Sequence, residues 1–178
     1  METVMAHEHT LLEYALRKLK SVRGVTLYGP TGDVLDKVGV IAFNIDGMHH
    51  AYTSAIMGAE GGIGVRNGCF CAHPYVKQLL NVSPEQEAIL AAEVLAGNKS
   101  NMPGMVRASL GCYNNESDID VFIEMVERIV RGDHRGTYVQ EKASGAFYAK
   151  GYNVSFDKYF PFFAANEPAR SRSHSEAS

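Results

Sequence analysis

Apolar residues recur three and four positions apart between Glu2 and about Lys20, at Leu12, Ala15, Leu16 and Leu19, the spacing that lines one face of a helix. Val22-Arg23-Gly24 ends that pattern, and the period changes. Val25 to Tyr28 and Val38 to Asn44 are short runs rich in β-branched and aromatic residues. The turn formers Gly29-Pro30-Thr31-Gly32-Asp33 separate them, and both predict strands. A helix is expected from Met48 to Glu60, stopped by Gly61-Gly62, and then a strand from Ile63 to Arg66 running into Asn67-Gly68. Ser83 before Pro84 and two glutamates marks another helix start, because the hydroxyl caps free amides and proline is tolerated at the first helical position. That helix should reach about Leu95 and stop at Gly97.

Met105 to Leu110 predicts a further strand, and the strongest helix signal follows it. Asn115 is the cap, Glu116 and Asp118 sit at the positive end of the helix dipole, and Arg128 and Arg131 sit at its negative end. Ile119, Phe122, Ile123, Val126, Ile129 and Val130 form the buried face. Beyond Gly132 the sequence is aromatic-rich and non-periodic through Phe163, and residues 164–178 are small and polar, the composition of a disordered tail. The predicted fold is α+β, an α/β sandwich in which helices cover a small mixed or antiparallel sheet. In a chain of 178 residues we expect one domain over 1–163, with an extension from about 133, and a tail over 164–178.

Composition narrows the partners. The 17 basic residues are balanced by 20 acidic ones, for a formal net charge of -3, and no positive stripe awaits a phosphate backbone, so nucleic acid is not expected. No apolar run is long enough to span a bilayer and the N-terminus has no basic, apolar leader, so no membrane is expected and the chain is read as cytoplasmic. The three cysteines are then reduced thiols, too few and too odd in number for a disulfide framework.

The densest chemistry lies in Arg66-Asn67-Gly68-Cys69-Phe70-Cys71-Ala72-His73-Pro74. A guanidinium beside a cysteine favours the thiolate, which is the nucleophilic form. The alternative is that Cys69 and Cys71 are small buried hydrophobes. Zinc held by Cys69, Cys71 and His73 with His49 and His50 is disfavoured, because structural pairs leave two to four residues between cysteines and these leave one; no metal is expected. Gly61-Gly62-Ile63-Gly64 is not a dinucleotide loop, since its glycines precede a strand instead of following one. Arg107, inside an apolar strand, is either an edge arginine reaching solvent or a part-buried guanidinium that forks onto a carboxylate. His7, His9, His134 and His174 receive no role.

Two separated motifs resemble one family. Gly62-Ile63-Gly64-Val65-Arg66-Asn67-Gly68-Cys69-Phe70-Cys71-Ala72-His73-Pro74 and the run from Val106-Arg107-Ala108-Ser109-Leu110-Gly111 to Asp120 are similar to the C-terminal small domain of class V aminotransferases. These are fold type I pyridoxal-phosphate enzymes that include the cysteine desulfurases. His7-Glu8 with Leu11, and Leu27-Tyr28-Gly29-Pro30, extend the resemblance over most of Glu2 to Arg131. It implies that Cys71 falls where desulfurases carry the cysteine that takes sulfur as a persulfide, with Cys69 as the other candidate. It also implies that Arg107 binds the substrate carboxylate and that Arg66 lies beside the active-site loop.

Desulfurases with this loop type commonly carry histidines where Cys69 and Phe70 stand, and the Gly68-Cys69-Phe70-Cys71 string is closer to molybdenum-cofactor sulfurases. Desulfuration, transamination, lyase and epimerase chemistry therefore all stay open. The family's cofactor is pyridoxal phosphate, bound to a lysine that follows a histidine in a large domain. None of Lys18, Lys20, Lys37, Lys77, Lys99, Lys142, Lys150 or Lys158 follows a histidine. The resemblance thus implies a fragment that needs a large pyridoxal-phosphate-binding domain or subunit, acts on a small amino acid and is homodimeric when complete. A non-catalytic binding or assembly module that keeps the fold is the rival expectation.

Overall fold

The computed structural model describes residues 1–32 and 37–151. Helix α1 (Glu2–Ser21) buries Leu11, Leu12, Ala15, Leu16 and Leu19, which the helical repeat brings to one side. Strands β1 (Val25–Tyr28) and β2 (Val40–Ile45) follow, then α2 (His50–Gly61), β3 (Arg66–Gly68), α3 (His73–Leu79) and α4 (Pro84–Leu95). Next come β4 (Met105–Ser109), α5 (Glu116–Val130), and a hairpin of β5 (Tyr138–Gln140) and β6 (Phe147–Ala149).

The main sheet has the order β1-β2-β4-β3, and every neighbouring pair is antiparallel. The α+β class holds, with the sheet of the antiparallel kind. Alternation along β2 sends Ile41, Phe43 and Ile45 to one face, where Val106 and Ala108 of β4 join them. Helices α1, α2 and α5 close over that face with Leu12, Ile56, Met57, Ile123 and Val126, and the Phe122 ring meets Phe43 edge to face at 5.8 Å. Each large apolar side chain buried there contributes ~1.5–3 kcal/mol. The start of α5 is secured as its sequence predicts: the Asn115 side chain accepts from the Ser117 and Asp118 amides, and the Asp118 carboxylate accepts from the Asn115 amide.

Three elements differ from the sequence expectation. The ladder of β3 begins at Arg66 and not at Ile63: after the left-handed cap at Gly62, Ile63 and Val65 still pack on the core, but backbone pairing with β4 starts only at Arg66. Helix α3 was not anticipated, although Pro74 in its first turn is a helix-start signal. The hairpin of β5 and β6 occupies sequence read as non-periodic. The tail expected over 164–178, and the aromatic run after Gly151, lie outside the described residues.

Helix α4 buries none of its residues, and leaves Ile89 and Leu95 exposed. Its ties to the rest among the described residues include a Lys77–Glu87 ion pair and a pair of hydrogen bonds from the Asn101 side-chain amide to Glu93. No helix among the described residues is long and apolar enough to cross a membrane.

Candidate functional site

Cross-strand partners project from the same face of a sheet. One register row runs Tyr28, Ala42, Arg107, Arg66 across β1, β2, β4 and β3. Val106 and Ala108, which flank Arg107, point into the helix-covered core, so this row faces the opposite way. Strand β4 has a partner on each side, which removes the edge-strand reading of Arg107. Two guanidinium-bearing residues thus stand directly opposite each other, an arrangement that like charges ordinarily make unfavourable. Among the described residues neither forms an ion pair with a carboxylate, and the buried Nε of Arg107 has no hydrogen-bond partner. Such a pair is suited to an anion with two oxygens, and a guanidinium matches a carboxylate fork to fork.

The cysteine loop is laid against this row. After Gly68 the chain turns sharply, with Phe70 at φ 52° and Cys71 at φ 63°, two consecutive non-glycine residues in the left-handed region. Such conformations cost about 1–3 kcal/mol each and persist only where the surroundings hold them. Three contacts do so. The Ala72 amide donates to the Cys69 carbonyl at 2.7 Å, and the Phe70 ring lies 5.0 Å from the Arg107 guanidinium carbon in a cation–π contact. The Cys69 thiol donates to the Pro103 carbonyl at 3.1 Å.

The turn separates the two cysteines. Cys69 is buried with Val76 and Met105 in a second small cluster, and burial pushes its thiol up from the ordinary range, with Lys77 opposing. Cys71 is exposed, as is Cys112. An extended segment would have put Cys69 and Cys71 on one face, but the left-handed pair breaks that alternation. Arg66 is exposed and Arg107 half-buried.

Behind the loop, His50 is buried and its Nε2 donates to the Met102 carbonyl at 2.9 Å, while Nδ1 lies 3.1 Å from the Asn67 side chain. Burial lowers its affinity for a proton, opposed by the Met102 carbonyl and the Asn67 side-chain oxygen. His49 caps α2 by accepting from the Ala51 amide, and burial, reinforced by neighbouring His50, lowers its pKa to about 4. Gly104 closes this region: a Cβ there would meet the Gly68 Cα at 2.6 Å and the His50 ring at 2.7 Å. No three His, Cys, Asp or Glu side chains among the described residues are grouped to hold a metal ion. Cavities of about 450 Å³ and about 440 Å³ flank α5 and α2, and neither is lined by Arg66, Cys71 or Arg107.

Fold and loop point to one family. Residues 1–122 match the family model described as Aminotransferase class-V, and the chain belongs to that family. It is 33% identical over 126 residues to a cysteine desulfurase of Yersinia pseudotuberculosis, covering 71% of this chain and 25% of that protein. A cysteine desulfurase of Escherichia coli O139:H28 is 34% identical over 131 residues, covering 74% of this chain and 26% of the relative. The apo structure of cysteine desulfurase from Thermococcus onnurineus NA1 superposes with a TM-score of 0.56 at 28% identity, over 72% of this chain and 26% of that one. The chain therefore spans about a quarter of the length of the curated relatives it matches.

The resemblance implies pyridoxal phosphate, whose aldehyde needs an amine. The row bearing Arg66 and Arg107 contains guanidiniums and no lysine, and Lys18 and Lys77 are engaged with Asp120 and Glu87. The groups present on this face fit a carboxylate and do not fit the carbonyl carbon of that cofactor.

Proposed function

We propose that this chain acts as the C-terminal small domain of a class V enzyme, supplying the carboxylate clamp and the thiol of a site completed by a larger domain or subunit. Arg107, with Arg66 beside it, binds the carboxylate of a small amino acid. Cys71, exposed on the strained turn, is the reactive thiol, and Cys69, buried and hydrogen-bonded, is structural. The larger partner brings pyridoxal phosphate and its lysine, which supply the electron sink for the reaction; the complete enzyme is a cytoplasmic homodimer. The domain comprises 1–163 with the extension from about 133.

The observation that carries this reading is the facing pair of arginines, without a carboxylate among the described residues, next to an exposed left-handed cysteine. A part-buried guanidinium whose Nε has no partner among the described residues lacks the anion that would compensate its desolvation.

Incubating the chain with pyridoxal phosphate, reducing with borohydride and mapping the peptides tests the division of labour. No specific lysine adduct is expected. A stoichiometric adduct on one lysine would show that the chain holds the cofactor itself and would overturn the reading.

A further inference from the structure

The family match ends at residue 122, yet residues 133–150 are tied by hydrogen bonds to two segments within it. Their first anchor is Glu60 at the end of α2. Its carboxylate accepts from the Arg135 amide at 3.0 Å, the Gly136 amide at 2.8 Å and the Tyr138 hydroxyl at 2.9 Å, and it pairs with Arg128 at 3.5 Å. Burial alone would raise the Glu60 carboxyl, but these donors more than offset it and hold it below its ordinary range. A second anchor is aromatic: the Tyr52 ring of α2 meets Tyr138 at 5.5 Å and Phe147 at 5.0 Å, both edge to face.

The far end of the hairpin grips a different segment. The Lys99 amide donates to the Lys142 carbonyl at 2.7 Å, and the Gln140 side-chain amide donates to the Ser100 carbonyl at 2.9 Å and the Gly145 carbonyl at 3.2 Å. Two and three residues further along, Met102 and Pro103 present the carbonyls that receive His50 and Cys69, and Gly104 is pressed onto Gly68. The path from hairpin to cysteine turn is thus continuous: Lys99 donates to and Ser100 accepts from the hairpin, and Met102 and Pro103 accept on the other side.

We infer that the hairpin over 138–149 is an intramolecular clamp that fixes the cysteine turn by holding the 99–104 segment, with Gln140 as the positioning residue. Two consecutive left-handed residues need an outside support. The clamp supplies it, because Pro103 cannot retreat from Cys69 while Lys99 and Ser100 are tied. The clamp's importance for chemistry rests on the assignment of Cys71 above; its hold on the turn does not.

Thiol trapping on the full chain tests it. With iodoacetamide and peptide mapping, Cys71 and Cys112 label freely in the parent protein and Cys69 is protected. Gln140→Glu and Gln140→Leu both remove the two donated bonds and are expected to speed Cys69 labelling by about tenfold or more through local opening, with exchange of the α5 core amides unchanged. Gln140→Lys keeps a donor within reach of both carbonyls and should retain the protection. Cys69 labelling that stays at the parent rate in both Gln140→Glu and Gln140→Leu, or that rises equally in Gln140→Lys, would overturn the clamp. Because the readout is Cys69 in this chain alone, a negative result bears on the clamp and leaves the reading of Cys71 untouched.

Discussion

The two faces of β4 are made from adjacent residues and obey opposite rules. On one side Val106 and Ala108 join an apolar core sealed by three helices, where every neighbour is satisfied by contact alone. On the other side Arg107 faces Arg66, keeps an unpartnered Nε and supports a strained turn through the Phe70 ring. The first face spends its composition on stability. The second holds like charges together and two left-handed side chains, each of which works against stability.

The sharpest way to break this contrast is to remove comparable bulk from each side. Phe43→Ala, at a side chain that is 0% exposed, should cost about 3–5 kcal/mol in denaturant unfolding, since it leaves a cavity against Phe122. Arg107→Ala should change unfolding by only about 1 kcal/mol, because it removes no core volume and relief of the like-charge pair offsets loss of the Phe70 contact. In the complete enzyme the same substitution should weaken binding of the substrate carboxylate by about 2–5 kcal/mol, read from the substrate's binding constant. Equal loss of stability in both variants would make Arg107 a packing residue and erase the distinction.

A further effect is pH dependence, which belongs to the helix-covered end of the molecule. His49 and His50 are held neutral by burial, with His49 at about 4 against an ordinary value of 6.5. Unfolding therefore takes up protons, so their contribution is complete above pH 6.5 and is lost as the pH falls towards about 4. His49→Asn keeps a capping acceptor for α2 without the ionisation, and should flatten part of the acid limb in melting temperatures measured from pH 7 to pH 4. An unchanged acid limb would assign the loss to carboxylates such as Glu60.

Much of the fold was legible because its signals are local. The Asn115 cap and the apolar stripe of α5, the Ser83-Pro84 start of α4, and the alternation of β2 each state their structure within a few residues. The hairpin was missed because its strands are three residues long, too short to establish a period, and are set by contacts with Glu60, Tyr52 and Ser100. At the site, the residue types were readable and their directions were not. Nothing in the string Cys69-Phe70-Cys71 announces two left-handed residues, so which thiol is exposed could not be decided from spacing. Nor could the facing of Arg66 and Arg107, a matter of register between strands far apart in sequence.

The close crossing at Gly104 has a consequence for how this sequence can vary. At Gly62 the backbone is left-handed with open space around it, so asparagine is an acceptable replacement there. Gly104 adopts no such conformation, yet even one methyl group would collide with Gly68 and His50. A saturation library at the two positions should consequently return a small alphabet at 62 and a single letter at 104, the mark of a place where two stretches of chain touch and heredity has no room to wander.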